Sequence, residues 1–224
     1  LTGRYGKDHR YLLCFESPFT TPWPENGLLY ATYYRFAVEE SPHLVMLHGY
    51  QDSRNVFHRW LGRGLLKRGI SSLVLELPYH MRRAPKGSFS GEYFVYRGVE
   101  GMLQAVRQAV AEACASVAWL KENGCRRAGM MGSSLGGLIA ALSCTAAPEI
   151  DFCILNVPAL DLADILHSNP AAKPIRRAME RNSKETSGEL KALSGALTPR
   201  LLKPFMRMED ILVIQAEHDL FVPP

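Results

Sequence analysis

No run of eighteen apolar residues occurs in this chain of 224, so it holds no candidate for a membrane-spanning helix. No basic-then-apolar segment opens it as a secretory signal would, and because it starts at Leu1 rather than Met, a processed or incomplete N-terminus is expected. There is no Cys-x-x-Cys pair among its five cysteines (Cys14, Cys114, Cys125, Cys144 and Cys153). An odd number at irregular spacing argues against zinc, redox and disulfide-framework readings. Buried free thiols in a reducing, cytoplasmic compartment are the plainer expectation. Nor is there a long basic block or any interleaving of aromatic and basic residues. Net charge is only +4, and the pairs Arg82-Arg83, Arg126-Arg127 and Arg176-Arg177 are scattered, which gives no footprint for nucleic acid. The most consequential absence is local: no histidine follows Asp219.

What is present is an ordinary globular composition, 47% hydrophobic and 21% charged, in which short apolar runs alternate with helical patterns. That alternation predicts βαβ units and a mostly parallel twisted sheet with helices on both faces. Strands are expected at 28–36, 44–47, 72–77, 128–131, 152–157 and 211–215. Helices are expected at 55–68, 99–123 and 135–147. The longest is the clearest: Met102, Val106, Val110, Ala113, Val117 and Leu120 recur every three or four residues, and Gly124 stops it. Residues 161–208 break the rhythm, being longer than one crossover needs. They are expected to form a crossover helix plus an inserted helical lid, with 1–160 and 209–224 as the core.

Gly132-Ser133-Ser134-Leu135-Gly136 lies between an apolar strand-like run and an apolar helix-like run. A serine on so sharp a turn is pushed out of the backbone with its hydroxyl exposed, and glycines flank it because a side chain would clash. No Gly-Lys-Ser/Thr follows, so a Walker-type phosphate loop is not indicated. Ser134 is the candidate nucleophile, and the Leu135 amide a candidate oxyanion donor. A helix cap by Ser133 or Ser134 is the bland alternative.

The order strand–His48-Gly49-Tyr50, then strand–Gly132-x-Ser134-x-Gly136–helix, then a strand ending in Glu217-His218-Asp219, resembles the α/β-hydrolase family over nearly the whole chain. The resemblance implies that fold. It implies a second oxyanion donor at the Tyr50 amide and an acid at Asp219, with Asp161 or Asp164 as rivals. It also implies a histidine beyond the acid, so the C-terminal end of the fold is expected to lie outside this chain. His48 reads as the structural histidine of its loop. His80, Arg82 and Arg83, in Leu77-Pro78-Tyr79-His80-Met81-Arg82-Arg83, are expected near the pocket mouth. There an arginine would take a substrate carboxylate or phosphate, unless both arginines are plain surface residues.

Two functions follow. One is a serine hydrolase cleaving an ester, thioester or amide of a small acyl substrate through an acyl-enzyme on Ser134, with no metal and no cofactor. The other is a catalytically silent scaffold that binds a ligand or protein. Oligomeric state is left open.

Overall fold

The computed structural model describes residues 2–4, 9–37, 40–182, 199 and 202–222. Among these residues eight strands form one sheet in the order β1-β2-β3-β5-β4-β6-β7-β8. They are β1 (Thr2–Arg4), β2 (Arg10–Glu16), β3 (Leu28–Tyr34), β4 (His43–Leu47), β5 (Ser71–Leu75), β6 (Ala128–Ser133), β7 (Phe152–Asn156) and β8 (Ile211–Ile214). The first three pairings, β1–β2, β2–β3 and β3–β5, are antiparallel. From β5 through β4, β6 and β7 to β8 every pairing is parallel. β4 and β5 are buried along their whole length, as parallel strands covered on both faces must be.

Helix α1 (Val56–Leu66) joins β4 to β5 across one face, where Leu61 and Leu65 pack on Leu44, Met46 and Val74. The other face carries α3 (Gly98–Glu122), which follows the four-residue α2 (Glu92–Val95), and α4 (Leu135–Cys144). Met102, Ala105, Ala109, Ala113, Val117 and Leu120 of α3 bury against this face of the sheet, so the spacing read from the sequence has its physical cause in one continuous stripe. The chain moves outward from β4 to β5 and then returns past β4 to β6. Right-handed crossovers in opposite directions put their helices on opposite faces. The reversal also opens a crevice beyond the C-terminal ends of β4 and β6.

Beyond β7 the chain forms α5 (Leu162–Ser168) and α6 (Lys173–Asn182). Residues 183–198 of the expected lid lie outside the described residues. β8 is the last strand of the sheet among the described residues, and Leu212, Val213 and Ile214 are all exposed there.

A buried ion pair lies under the sheet's C-terminal edge. Arg83, wholly buried, forms a two-point pair with Glu112 of α3, Nη1 to Oε2 at 2.7 Å and Nη2 to Oε1 at 2.6 Å. The same guanidinium donates to the carbonyls of Glu76 and Asn26. Gln108 and the Ser17 hydroxyl both donate to Glu112 Oε1, and Asn26 donates to Gln108. This surround engages both carboxylate oxygens and both Nη groups, leaving only Arg83 Nε without a partner among the described residues, and such pairing is the condition under which a charge survives burial.

Removal of one partner strands the other. Glu112→Ala is expected to lower the unfolding free energy by about 3–5 kcal/mol. Replacing both partners by apolar residues, Arg83→Met with Glu112→Leu, is expected to recover part of that loss. Urea denaturation of the three proteins checks it, and a double variant no better than the single would contradict it.

Candidate functional site

Ser134 sits where β6 turns into α4, with φ 52° and ψ −115°. A non-glycine residue in that region is strained and is held there by its surroundings. The surroundings are tight. A Cβ on Gly132 would collide with the Gly136 carbonyl, and one on Gly136 with the Leu47 and His48 carbonyls. The glycines of the motif are thus what lets strand, helix and the end of β4 meet. The Ser134 amide donates to the Asn156 carbonyl of β7 at 3.0 Å, and its carbonyl accepts from Leu138 and Ala159. The residue is clamped from three sides.

The His48-Gly49-Tyr50 loop lies against this turn. A Cβ placed on Gly49 would be only 3.5 Å from Ser134 Cβ. Tyr50 N donates to no acceptor among the described residues. Leu135 N, in the first turn of α4, has no partner within the helix. Two uncommitted amides therefore flank the serine from neighbouring elements.

His48 holds the loop in shape. Its Nε2 accepts from Leu77 N at 3.0 Å, so Nδ1 carries the proton and donates to the Gly49 carbonyl at 2.8 Å. With both nitrogens engaged it is the structural histidine expected. Burial pushes its pKa down to about 4.

Asp219 follows β8 at the same edge of the sheet, and β7 separates β8 from β6. Its Oδ1 accepts from Phe221 N and Val222 N, both at 2.9 Å, in an Asx-type turn. Oδ2 takes no part in that turn. Of the rival acids, Asp161 caps α5 by accepting from Asp164 N, and Asp164 is exposed.

Three residues expected at the pocket mouth are placed differently. Arg83 is wholly buried with Glu112, so it is neither a surface arginine nor one presented to an incoming anion. Arg82 turns its fork onto Glu76, Nη2 to Oε1 at 2.6 Å, and lies 4.3 Å over the Tyr30 ring. His80 is fully buried, and its Nδ1 donates to the Pro78 carbonyl at 2.8 Å. Its ring packs against His48 and Phe94, and burial holds its pKa well below the ordinary value. The Pro78–Arg83 segment turns inward because Arg83 is drawn to the buried carboxylate.

One contact was not anticipated from the sequence. His58, in the first turn of α1, places Nε2 3.2 Å from Ser133 Oγ, which also accepts from Asn156 Nδ2. Ser133 thus points to the α1 side of the sheet, away from the face that Ser134 adjoins. From the sequence His58 reads as an ordinary polar residue of that helix. None of the described histidines hydrogen-bonds to Ser134 Oγ; His43, His48, His58 and His80 each have other partners.

Comparison with known proteins agrees with this fold. A family described as "Alpha/beta hydrolase domain containing 18" matches residues 33–163, more than half of the chain. No curated protein sequence matches. Among solved structures, acetyl xylan esterase 1 from Thermoanaerobacterium sp. JW/SL YS485 superposes with TM-score 0.67 at 15% identity, covering 95% of this chain and 74% of the esterase. The Pyrococcus furiosus esterase Pf2001 superposes with TM-score 0.60 at 18% identity over 100% of this chain and 78% of its own. The Pyrococcus horikoshii acylaminoacyl peptidase reaches TM-score 0.67 at 14% identity over 97% of this chain, which spans 33% of that larger protein. At these identities the likeness is one of fold.

The buried histidines set a pH dependence of stability. An unfolded histidine titrates near 6.5, whereas burial lowers the native pKa of His48 to about 4 and those of His43, His58 and His80 in the same direction. Between those values the unfolded chain binds protons that the native chain refuses. Stability is therefore complete above pH 6.5 and declines as pH falls toward 4, by about 3 kcal/mol from His48 alone. Urea unfolding at pH 7.5 and pH 4.5 tests this; equal midpoints would contradict it.

Proposed function

The chain belongs to the alpha/beta hydrolase domain containing 18 family, and on that footing we propose that it is a serine hydrolase cleaving a carboxylic ester, thioester or amide. The observation that carries the reading is the contact between the two loops. Ser134 is strained outward at the β6–α4 turn, and Gly49 of the second loop lies against its Cβ.

In this reading Ser134 Oγ attacks the acyl carbon. The carbonyl oxygen gains a negative charge and takes hydrogen bonds from the Tyr50 and Leu135 amides. An imidazole accepts the serine proton and returns it to the leaving group, and water then hydrolyses the acyl-enzyme. Asp219 is the carboxylate assigned to hold that imidazole. Its Oδ1 is fixed by two backbone amides, and Oδ2 is assigned to the imidazole N–H. The imidazole itself is assigned to no described histidine. Residues 161–208, of which α5 and α6 are described, are assigned to a cap over the site. The esterase and peptidase names of the structural neighbours support acyl chemistry on a small substrate. Five free cysteines fit the reducing, cytoplasmic setting expected from the sequence.

The absence of a described histidine on Ser134 Oγ favours one competing reading, a ligand-binding scaffold without turnover. A fluorophosphonate separates the two, because it labels only an activated serine. The intact protein, with the histidine that the hydrolase resemblance implies, is expected to be labelled. Ser134→Ala should abolish labelling and lower turnover of a short p-nitrophenyl ester by roughly 10⁴-fold or more. Ser133→Ala should cost no more than a few-fold, since that hydroxyl bonds His58 and Asn156. No labelling of the intact protein would establish the scaffold reading, and equal losses from both variants would move the nucleophile.

The acid is tested separately. Asp219→Asn is expected to lower turnover by roughly 10²–10⁴-fold while labelling slows in parallel. Asp161→Asn should leave both within a few-fold. The opposite ranking would transfer the role to Asp161.

A further inference from the structure

On the α1 face of the sheet a cavity of about 1010 Å³ lies among β2, β3, β5 and α1. Ser134 is not among its lining residues, so it is separate from the catalytic crevice. Its charge is one-sided. Five arginines line it (Arg10, Arg54, Arg59, Arg63 and Arg82), against a single carboxylate, Glu76. That carboxylate is already taken by Arg82 in a two-point pair. Among the described residues no acidic group pairs with Arg10, Arg54, Arg59 or Arg63.

This arrangement works against stability. Arg59 and Arg63 are one helical turn apart on α1, and like charges at that spacing repel. Arg10 and Arg54 bring further positive charge to the same cavity from β2 and from the loop ahead of α1. Elsewhere on the surface some arginines are paired with acids, while Arg68, Arg107 and Arg127 pair with none among the described residues. Arg126 pairs with Glu40, and Arg207 with Glu209 and Asp210. Only at this cavity do four guanidinium groups stand together without a counter-ion among the described residues. A guanidinium fork matches phosphate oxygens two at a time, and several forks around one cavity suit a ligand with more than one phosphate. The volume falls in the range of small-molecule sites.

We propose that this cavity binds a small soluble molecule carrying two or more phosphate groups. The cavity borders the loop from Tyr50 to α1 through Ser53 and Arg54, and the segment after His80 through Met81 and Arg82. A bound polyphosphate therefore touches the two loops that shape the catalytic edge without entering it. The assignment does not rest on the serine-hydrolase reading, and its test requires no turnover.

The test is calorimetric titration of the full chain with inorganic pyrophosphate in 150 mM NaCl, repeated with vesicles containing an acidic phospholipid. One saturable pyrophosphate site per chain is expected. Arg59→Ser with Arg63→Ser should weaken it at least tenfold. Arg107→Ser, an exposed arginine of α3 on the opposite face, should change it less than twofold. All the substituted arginines are exposed, and melting temperatures check that the variants remain folded. Absence of saturable binding at this salt, or equal weakening by Arg107→Ser, would overturn the proposal. So would binding of the acidic vesicles but not of pyrophosphate, which would make the arginines a membrane-facing surface.

Discussion

The buried pair between Arg83 and Glu112 is the constraint on which the edge carrying the candidate site depends. It joins three segments far apart in the chain: the turn at Asn26, the loop after β5, and the middle of α3. An ion pair taken out of water gives little net stability on its own. Its effect is geometric. Once Glu112 is committed to the interior, only one placement of the 76–83 segment satisfies it. That placement draws His80 beneath the His48 loop and leaves Leu77 N facing His48 Nε2. The His48 bond to Gly49 then sets the loop that meets Ser134.

The elbow itself is governed by close approach. Two carbonyls of β4's exit, at Leu47 and His48, pass where a side chain on Gly136 would be. The chain reversal at β4 makes β6 its direct neighbour, so elements distant in sequence arrive in contact. Strain at Ser134 is balanced by its hydrogen bonds to β7 and to the segment that follows it.

Much of this was legible in the sequence, for identifiable reasons. The strand–Gly-x-Ser-x-Gly–helix context specifies a local geometry, and a local geometry can be read from contiguous residues. Strands β4, β6 and β7 announced themselves as short apolar runs, and α3 by its period. Arg10–Glu16 was not among the expected strands, although its apolar run lies between Gly6 and Ser17-Pro18. The roles of Arg83 and His58 were hidden. Each is polar in a segment whose neighbours give no sign of its partner, and the partners lie 29 and 75 residues away. A buried charge is readable only when both members are known. The same limit applies to Arg82, whose neighbour Glu76 was close in sequence but was assigned to a strand end rather than to an ion pair.

The exposed last strand has a bearing on how the chain behaves in company. β8 shows Leu212, Val213 and Ile214 to solvent at 55%, 53% and 44%, and its outer edge has no strand beside it among the described residues. Side chains of a strand alternate between faces, so both of its surfaces are greasy as well as its rim. Such an edge is a template for further backbone pairing. Four residues at the sheet's margin thus offer both an apolar surface and, among the described residues, an unpaired backbone rim.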